Sequence, residues 1–278
     1  MKKVKWLFAS FVITSLLLGA CSGPKAPKQV VVVTQAPVQT QAPPVSAIPD
    51  LGGKTIIVAV ENAYPPFNSI DQTTNKGVGW DYDTVTEICK RLNCKAEFKQ
   101  AAWDGIFSAM AAGQFDVLAD GVTITITRTR TVDFSIPYVT NIQVLLVRAG
   151  ETLTVDQITA DQTKLIGTQI GTTNEIVAKK TFPEARVKSF EDFGAAVLAL
   201  LASDVDGVVI DNVSAKGYMS QNEGKMKVDG ILASDEQLGF VFPPKSPLRA
   251  AFDAALEAMK ADGSLEALNL KWGLIVKN

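Results

Sequence analysis

The sequence contains no histidine. Histidine is the general base of Ser-His-Asp and Cys-His catalysis and the commonest metal ligand, so its absence argues against those enzymes and against most zinc sites. The chain also lacks a Gly-x-x-x-x-Gly-Lys-[Ser/Thr] loop, which excludes a P-loop ATPase. These absences argue against those particular classes of enzyme, and no cofactor is expected.

Acidic residues are missing from the N-terminal region, where Asp50 is the first. From residue 51 onward there are 22 basic and 28 acidic residues, a net charge of −6. This excess of acid argues against a nucleic-acid partner. After residue 21 no apolar run approaches the roughly 18 residues that indicate a membrane-spanning helix.

The first 20 residues have the pattern of an export signal. Three lysines among the first five residues precede a 13-residue apolar segment, residues 6–18. This segment is shorter than the roughly 20 residues that cross a bilayer. It ends in Leu18-Gly19-Ala20-Cys21, which looks like a bacterial lipobox. We therefore expect a lipoprotein signal peptide at residues 1–20 and attachment of palmitate or a similar acyl chain to Cys21. The alternative is an ordinary secretory peptide with an incidental cysteine.

Residues 22–50 are rich in proline, with six of the 13 prolines of the chain. Such a segment cannot bury enough apolar surface to offset the entropy of ordering it. The sequence predicts that residues 21–50 are the lipidated cysteine followed by a disordered tether. The tether would allow the folded part to reach a partner in the membrane.

The remaining 228 residues are enough for a large core. Apolar runs typical of buried strands alternate with segments of helical spacing, which predicts an α/β fold. The strand-like runs are residues 55–60, 115–119, 144–147, 165–168 and 208–210.

Seven motifs along this part of the chain resemble, in the same order, those of the extracytoplasmic solute-binding proteins of amino-acid ABC transporters, family 3. They cover nearly all of residues 54–273. The motifs are Ala63-Tyr64-Pro65-Pro66-Phe67, Gly79-Trp80-Asp81-Tyr82-Asp83, Trp103-Asp104-Gly105, the segment 121–128, Gly167-Thr168-Gln169-Ile170-Gly171-Thr172-Thr173, Asp206-Gly207-Val208-Val209-Ile210-Asp211, and the segment 260–273.

The resemblance implies a bilobed periplasmic-binding-protein type II fold, in which two hinge strands join two α/β lobes. Lobe 1 would comprise residues 51–147 plus 238–278, and lobe 2 residues 148–237. The lobes would close about the hinge around a ligand.

The resemblance also implies a function. A lipid-anchored monomer outside the cytoplasmic membrane would capture an amino acid, basic or polar, and deliver it to the permease of an ABC importer. One alternative is a sensing module that serves a receptor. Another is a cyclohexadienyl dehydratase acting on prephenate or arogenate, with Glu61 or Asp120 as its acid, because one fold can host several functions.

For the ligand carboxylate, the resemblance implies Arg128, whose guanidinium is a planar fork, together with Gly121 and Thr123. An ordinary structural ion pair is the alternative role for Arg128. Thr172 and Thr173 would contact the same carboxylate, since a helix N-terminus presents free N–H groups. A capping box formed by Thr172 and Glu175 is the other interpretation of that turn.

The remaining site residues are also assigned by the resemblance. Asp211 would bind the ligand ammonium or cap the following helix. Tyr64 and Trp103 would enclose the ligand side chain, with Gln169 in contact. Glu61 and Asp120 would favour a cationic side chain if both face the pocket, whereas a solvated Glu61 or an averted Asp120 would fit a neutral ligand.

Cys89 and Cys94 are five residues apart, at the end of a predicted helix that leads into a strand. In an oxidising compartment a local disulfide is expected, and the resembled family often has a bridge here. Two free buried thiols are the alternative. No metal site is expected.

Overall fold

The computed structural model describes residues 48–275. The predicted signal peptide, the lipidation site at Cys21 and residues 22–47 of the predicted tether lie outside the described residues. Within the described range, no helix is both long enough and apolar enough to cross a membrane.

Thirteen strands and eight α-helices make up the described part of the chain. The strands are β1 (Lys54–Val60), β2 (Ala63–Tyr64), β3 (Asn68–Asp71), β4 (Lys76–Val78), β5 (Cys94–Gln100), β6 (Val117–Leu118), β7 (Asp133–Phe134), β8 (Val139–Arg148), β9 (Ile166–Gln169), β10 (Val187–Phe190), β11 (Gly207–Asp211), β12 (Met226–Leu238) and β13 (Val241–Phe242). The helices are α1 (Trp80–Leu92), α2 (Ile106–Ala111), α3 (Val155–Ala160), α4 (Thr173–Thr181), α5 (Phe193–Ala202), α6 (Asn212–Gln221), α7 (Leu248–Ala261) and α8 (Ser264–Lys271).

The first lobe is built on a five-stranded sheet with the order β5-β1-β6-β13-β7. Strand β1 is parallel to both β5 and β6, whereas β13 is antiparallel to its two neighbours. The apolar run of β1 becomes continuously buried toward its C-terminal end. This burial fits a parallel strand that is covered on both faces.

The second lobe is built on a five-stranded sheet with the order β10-β9-β11-β8-β12. A separate three-stranded antiparallel sheet, β2-β3-β4, belongs with the first lobe. Two sheets with helices packed around them give the mixed α/β, two-lobed architecture that the sequence predicts.

The two crossings between the lobes follow from strand pairing. Residues 143–147 of β8 pair with β11, and nearly the whole of β8 pairs with β12, so residues 143–147 belong to the second sheet. By this pairing we place the first change of lobe between Phe134 and Val139, ahead of the residue 148 expected from the sequence. The reason is that β8 runs unbroken from the crossing into the second sheet. The return crossing lies near Leu238, which pairs with Val139 of β8 and also forms a bridge with Thr123 of the first lobe.

Helix α1 ends at Asn93, which has a left-handed backbone conformation with φ of 52°. The chain reverses there and enters β5 directly. A disulfide joins Cys89 to Cys94, with the two Cα atoms 4.6 Å apart. The bridge therefore links the end of α1 to the first residue of β5.

Candidate functional site

Four strand ends meet at the cleft between the two lobes. Strands β1 and β6 lead into Glu61 and Asp120, and β9 and β11 end at Gln169 and Asp211. Ligands of open α/β sheets bind outside the carboxyl ends of the strands. All eleven residues predicted to bind ligand line one cavity here.

Arg128 starts a short 3₁₀-helix, Arg128–Arg130, at the edge of the first lobe. Its guanidinium donates to the Thr123 carbonyl at 2.8 Å and to the Gly171 carbonyl of the second lobe at 3.5 Å. The guanidinium carbon lies 4.6 Å from the centre of the Phe107 ring and 5.3 Å from that of Trp103. Both acceptors are carbonyl oxygens, and no carboxylate among residues 48–275 forms an ion pair with this cation.

Burial lowers the pKa of Arg128 to about 10, while the charges of Glu236 and Asp211 act in the opposite direction. The side chain is therefore a cation at neutral pH. A guanidinium has five N–H donors, and only two donate to the carbonyls above. The remaining donors suit a carboxylate.

Gly121 has φ of +55°, a conformation that favours glycine. A Cβ atom at this position would lie 2.5 Å from the Tyr64 ring. The resemblance assigns this glycine to the ligand carboxylate, and in the structure the Tyr64 ring packs closely against it. Tyr64 also stacks on Phe67 and on Phe193, with ring centres 5.4 and 5.6 Å apart.

Asp211 immediately precedes α6, yet its side chain does not cap this helix. Its carboxylate instead accepts hydrogen bonds from the Tyr64 hydroxyl and, at 2.8 Å, from Asn174 Nδ2. Burial raises the pKa of Asp211 to about 6, with a further contribution from the charge of Glu236. The capping alternative is therefore not observed, and the carboxylate faces the cavity.

Glu61 and Asp120 are 7% and 5% exposed, and both line the cavity. Glu61 accepts from Gln169 Nε2 at 2.6 Å, across the cleft. Asp120 accepts from Asn68 Nδ2 at 2.6 Å. Burial raises the pKa of both carboxyls, and the nearby Asp120 charge raises that of Glu61 further. A solvated Glu61 and an averted Asp120 are thus not observed. A cation between them would relieve their repulsion.

The turn before α4 serves as a helix cap. The Thr172 hydroxyl accepts from Glu175 N at 3.1 Å and donates to the Gln169 carbonyl at 2.7 Å. The reciprocal half of the predicted capping box is absent, because the Glu175 carboxylate accepts from Gly171 N at 2.8 Å instead. The Thr172 hydroxyl is thus occupied by the cap, and Thr173 is the residue whose hydroxyl faces the first lobe.

Two residues of the cavity lining, Asn174 and Phe193, are not among those predicted from the sequence. Asn174 directly follows Thr173, so the same motif could have indicated it. Phe193 lies outside every motif, at the start of α5, and only its packing against Tyr64 reveals it. Among residues 48–275 no three acidic or cysteine side chains are placed to hold a metal ion.

A sequence profile of the bacterial extracellular solute-binding proteins, family 3, matches residues 56–275. The chain belongs to this family. The match spans both lobes and the whole of the cavity lining.

Individual members of the family are similar to this chain in sequence, and solved members are also similar in structure. The L-cystine-binding protein TcyJ of Escherichia coli strain K12 is 26% identical over 219 residues, covering 78% of this chain and 82% of TcyJ. The putative ABC transporter arginine-binding protein 2 of the same strain is 29% identical over 225 residues, covering 79% and 90%. Among solved structures, an ancestral arginine-binding protein is 36% identical, with 78% of this chain and 97% of that chain covered. Its TM-scores are 0.72 bound to glutamine and 0.71 bound to arginine.

In this solute-binding protein the two lobes are hydrogen-bonded to each other across the cleft. Besides the contacts of Glu61, Tyr64 and Arg128, the Tyr218 hydroxyl of α6 donates to the Ala63 carbonyl at 2.5 Å. The neighbouring Gly217 packs against the backbone of Pro65, where a Cβ atom would lie 2.5 Å from the carbonyl oxygen. The described conformation is therefore closed, and Gly217 permits this closeness.

Replacing Gly217 with alanine is expected to weaken ligand binding by about tenfold or more, because the added methyl group forces the lobes apart. Alanine is otherwise favoured over glycine in a helix, so the stability of the separate lobe is preserved. Calorimetry gives the affinity, and small-angle scattering with saturating ligand reports whether the lobes close. Gly150→Ala is the matched control, since no atom lies within 4 Å of its added Cβ. Equal affinities in the two variants would contradict this role of Gly217.

Proposed function

We propose that this protein captures an amino acid with a cationic side chain outside the cytoplasmic membrane and delivers it to the permease of an ABC importer. The observation that carries the proposal is the balance of charge in the cavity. Among the described residues that line it, Arg128 is the only basic side chain, and it faces the three buried carboxyls of Glu61, Asp120 and Asp211.

A free amino acid presents one carboxylate and one ammonium at a fixed separation. We assign its carboxylate to Arg128, Thr123 and Thr173, which together we call the carboxylate subsite. The α-ammonium pairs with Asp211. Glu61 and Asp120 then face the side chain, with Tyr64 and Trp103 as its aromatic walls.

This assignment favours a basic side chain over a neutral one. An unpaired carboxylate is costly to bury, and that cost is offset when a cation with hydrogen bonds lies beside it. With a neutral side chain beside it, Glu61 keeps its pKa of about 9 and stays protonated, so it offers that side chain no ionic partner. Arginine, lysine or ornithine would supply the missing positive charge, in keeping with the arginine that is named for two of the relatives.

The lipobox-like sequence that ends at Cys21 and the proline-rich segment after it support a lipid-anchored protein that reaches its permease through a tether. The reported relatives are binding proteins rather than enzymes, and the proposed function requires no catalytic residue. We propose that the unit acts as a monomer, with transport driven by ATP hydrolysed on another subunit.

The test is a thermal-shift panel of the twenty amino acids plus ornithine and citrulline, applied to the full chain after unfolding and refolding to remove carried-over ligand. At a concentration 1,000 times its dissociation constant, a ligand stabilises the folded state by about 4 kcal/mol. For a domain of this size that is a rise in Tm of roughly 8–16 °C.

We expect arginine, lysine or ornithine to give the largest shift, with calorimetry confirming one site. Glutamine as the best ligand would retain the transport function and refute the roles of Glu61 and Asp120. A panel with no shift would refute amino-acid binding itself, and turnover of prephenate or arogenate would then be the next assay.

A further inference from the structure

A partly buried chain of hydrogen bonds crosses the hinge next to the carboxylate subsite. Gln143 on β8 donates from Nε2 to Thr173 Oγ1 at 2.9 Å and to Glu236 Oε1 at 2.8 Å. The Thr173 hydroxyl oxygen lies 3.4 Å from that of Thr123. Glu236 lies on β12, next to Asn141 of β8, so both strands that join the lobes contribute to this chain.

The carboxylate of Glu236 lies next to the carboxylate subsite, where the ligand carboxylate also has to bind. Burial raises the pKa of Glu236, and the hydrogen bond from Gln143, the nearby hydroxyls of Thr173 and Thr123 and the charge of Arg128 partly offset that effect. Its Oε2 atom is buried and has no hydrogen-bond partner among the described residues. Glu236 does not itself line the ligand cavity.

The threonine hydroxyls cannot serve both carboxylates at once. A hydroxyl has a single proton to donate, so a hydroxyl that donates to Glu236 is not available to the ligand. Two carboxylates close to the same guanidinium also repel each other. Each effect makes ligand binding weaker than it would be if residue 236 were neutral.

We infer that Glu236 limits the affinity of the site, because its carboxylate competes with the ligand carboxylate for the hydroxyls of Thr123 and Thr173 and for the charge of Arg128. The inference rests on the proposed function. Affinity differences within one site are expressed mainly in the dissociation rate. Glu236 therefore favours ligand release, which a protein that delivers its ligand to a permease requires.

The test is calorimetric titration of arginine into the full-length wild-type chain, Glu236→Gln and Asp235→Asn. Glutamine keeps an oxygen for Gln143 but removes the charge, and we expect the dissociation constant to fall roughly tenfold. Stopped-flow fluorescence should show most of this gain as slower dissociation. Asp235 is the neighbouring residue on β12 and is exposed, so Asp235→Asn should leave the affinity within about twofold.

A gain of affinity distinguishes competition from a structural role, since a damaged hinge would weaken binding. Glu236→Met, uncharged and of similar length, provides a second variant if Glu236→Gln unfolds, and it should also bind more tightly. If the wild type binds arginine and neither variant binds it more tightly, the inference is overturned. If the wild type binds no amino acid, the proposed function fails and the inference fails with it.

Discussion

Replacing Arg128 with alanine is expected to weaken amino-acid binding by at least about a hundredfold. Removal of one member of a buried, hydrogen-bonded charge pair costs about 2–5 kcal/mol, or roughly 30- to 5,000-fold in the dissociation constant. The upper part of this range applies because Arg128 is the only basic side chain among the described residues that line the cavity. Calorimetry with the best ligand of the panel measures the loss.

Arg130 provides the matched control for this substitution. It lies in the same 3₁₀-helix as Arg128 but is exposed and does not line the cavity. Arg130→Ala should therefore bind the ligand as the wild type does. Arg128→Lys keeps the charge without the planar fork, so it should fall between Arg128→Ala and the wild type. Full binding by Arg128→Ala would show that the carboxylate lies elsewhere.

The second large effect is expected from Glu61→Gln, which should make the site prefer neutral amino acids over those with a cationic side chain. Glutamine has nearly the same shape and retains an oxygen for Gln169 Nε2, but it no longer offers a negative charge. We expect arginine or lysine to bind about 30-fold or more weakly, with little change for a neutral amino acid. The ratio of the dissociation constants for arginine and glutamine is the measurement.

This ratio separates a change of specificity from general damage to the site. A loss that is equal for both ligands would mean that Glu61 orders the cleft rather than selects the side chain. Glu266→Gln removes an exposed charge from α8, in the same lobe as Glu61, and should leave both constants unchanged. Because burial raises the pKa of Glu61 in the described structure, binding of a cation should also restore its ionised form.

The fold class was predictable because each buried strand corresponds to a short run of consecutive apolar residues. Residues 55–60 lie within β1, which is buried toward its C-terminal end, and residues 208–210 lie within β11, which is buried throughout. The position of the hinge was less predictable. Residues 144–147 have the same composition whether they cross between lobes or continue a sheet, and only their pairing with β11 decides between the two.

The candidate site was likewise predictable only in part. Motifs indicate which residues line the cavity, since Arg128, Thr173 and Asp211 lie at strand ends or helix starts that a local pattern marks. The partners of these residues are set by contacts across the cleft. Asp211 is hydrogen-bonded to Tyr64, 147 residues away, rather than to the helix that it precedes. No local pattern could distinguish that partner from the cap.

The sequence by itself therefore determined the α/β class, the family and the set of polar groups available to a ligand, because strand and helix periodicity and short motifs are properties of neighbouring residues. Tertiary structure alone decided which carboxyls are buried together, where the chain changes lobe, and that Gly217 and Glu236 bear on closure and affinity. Burial and charge proximity depend on residues far apart in the chain, and folding is what brings those residues into contact.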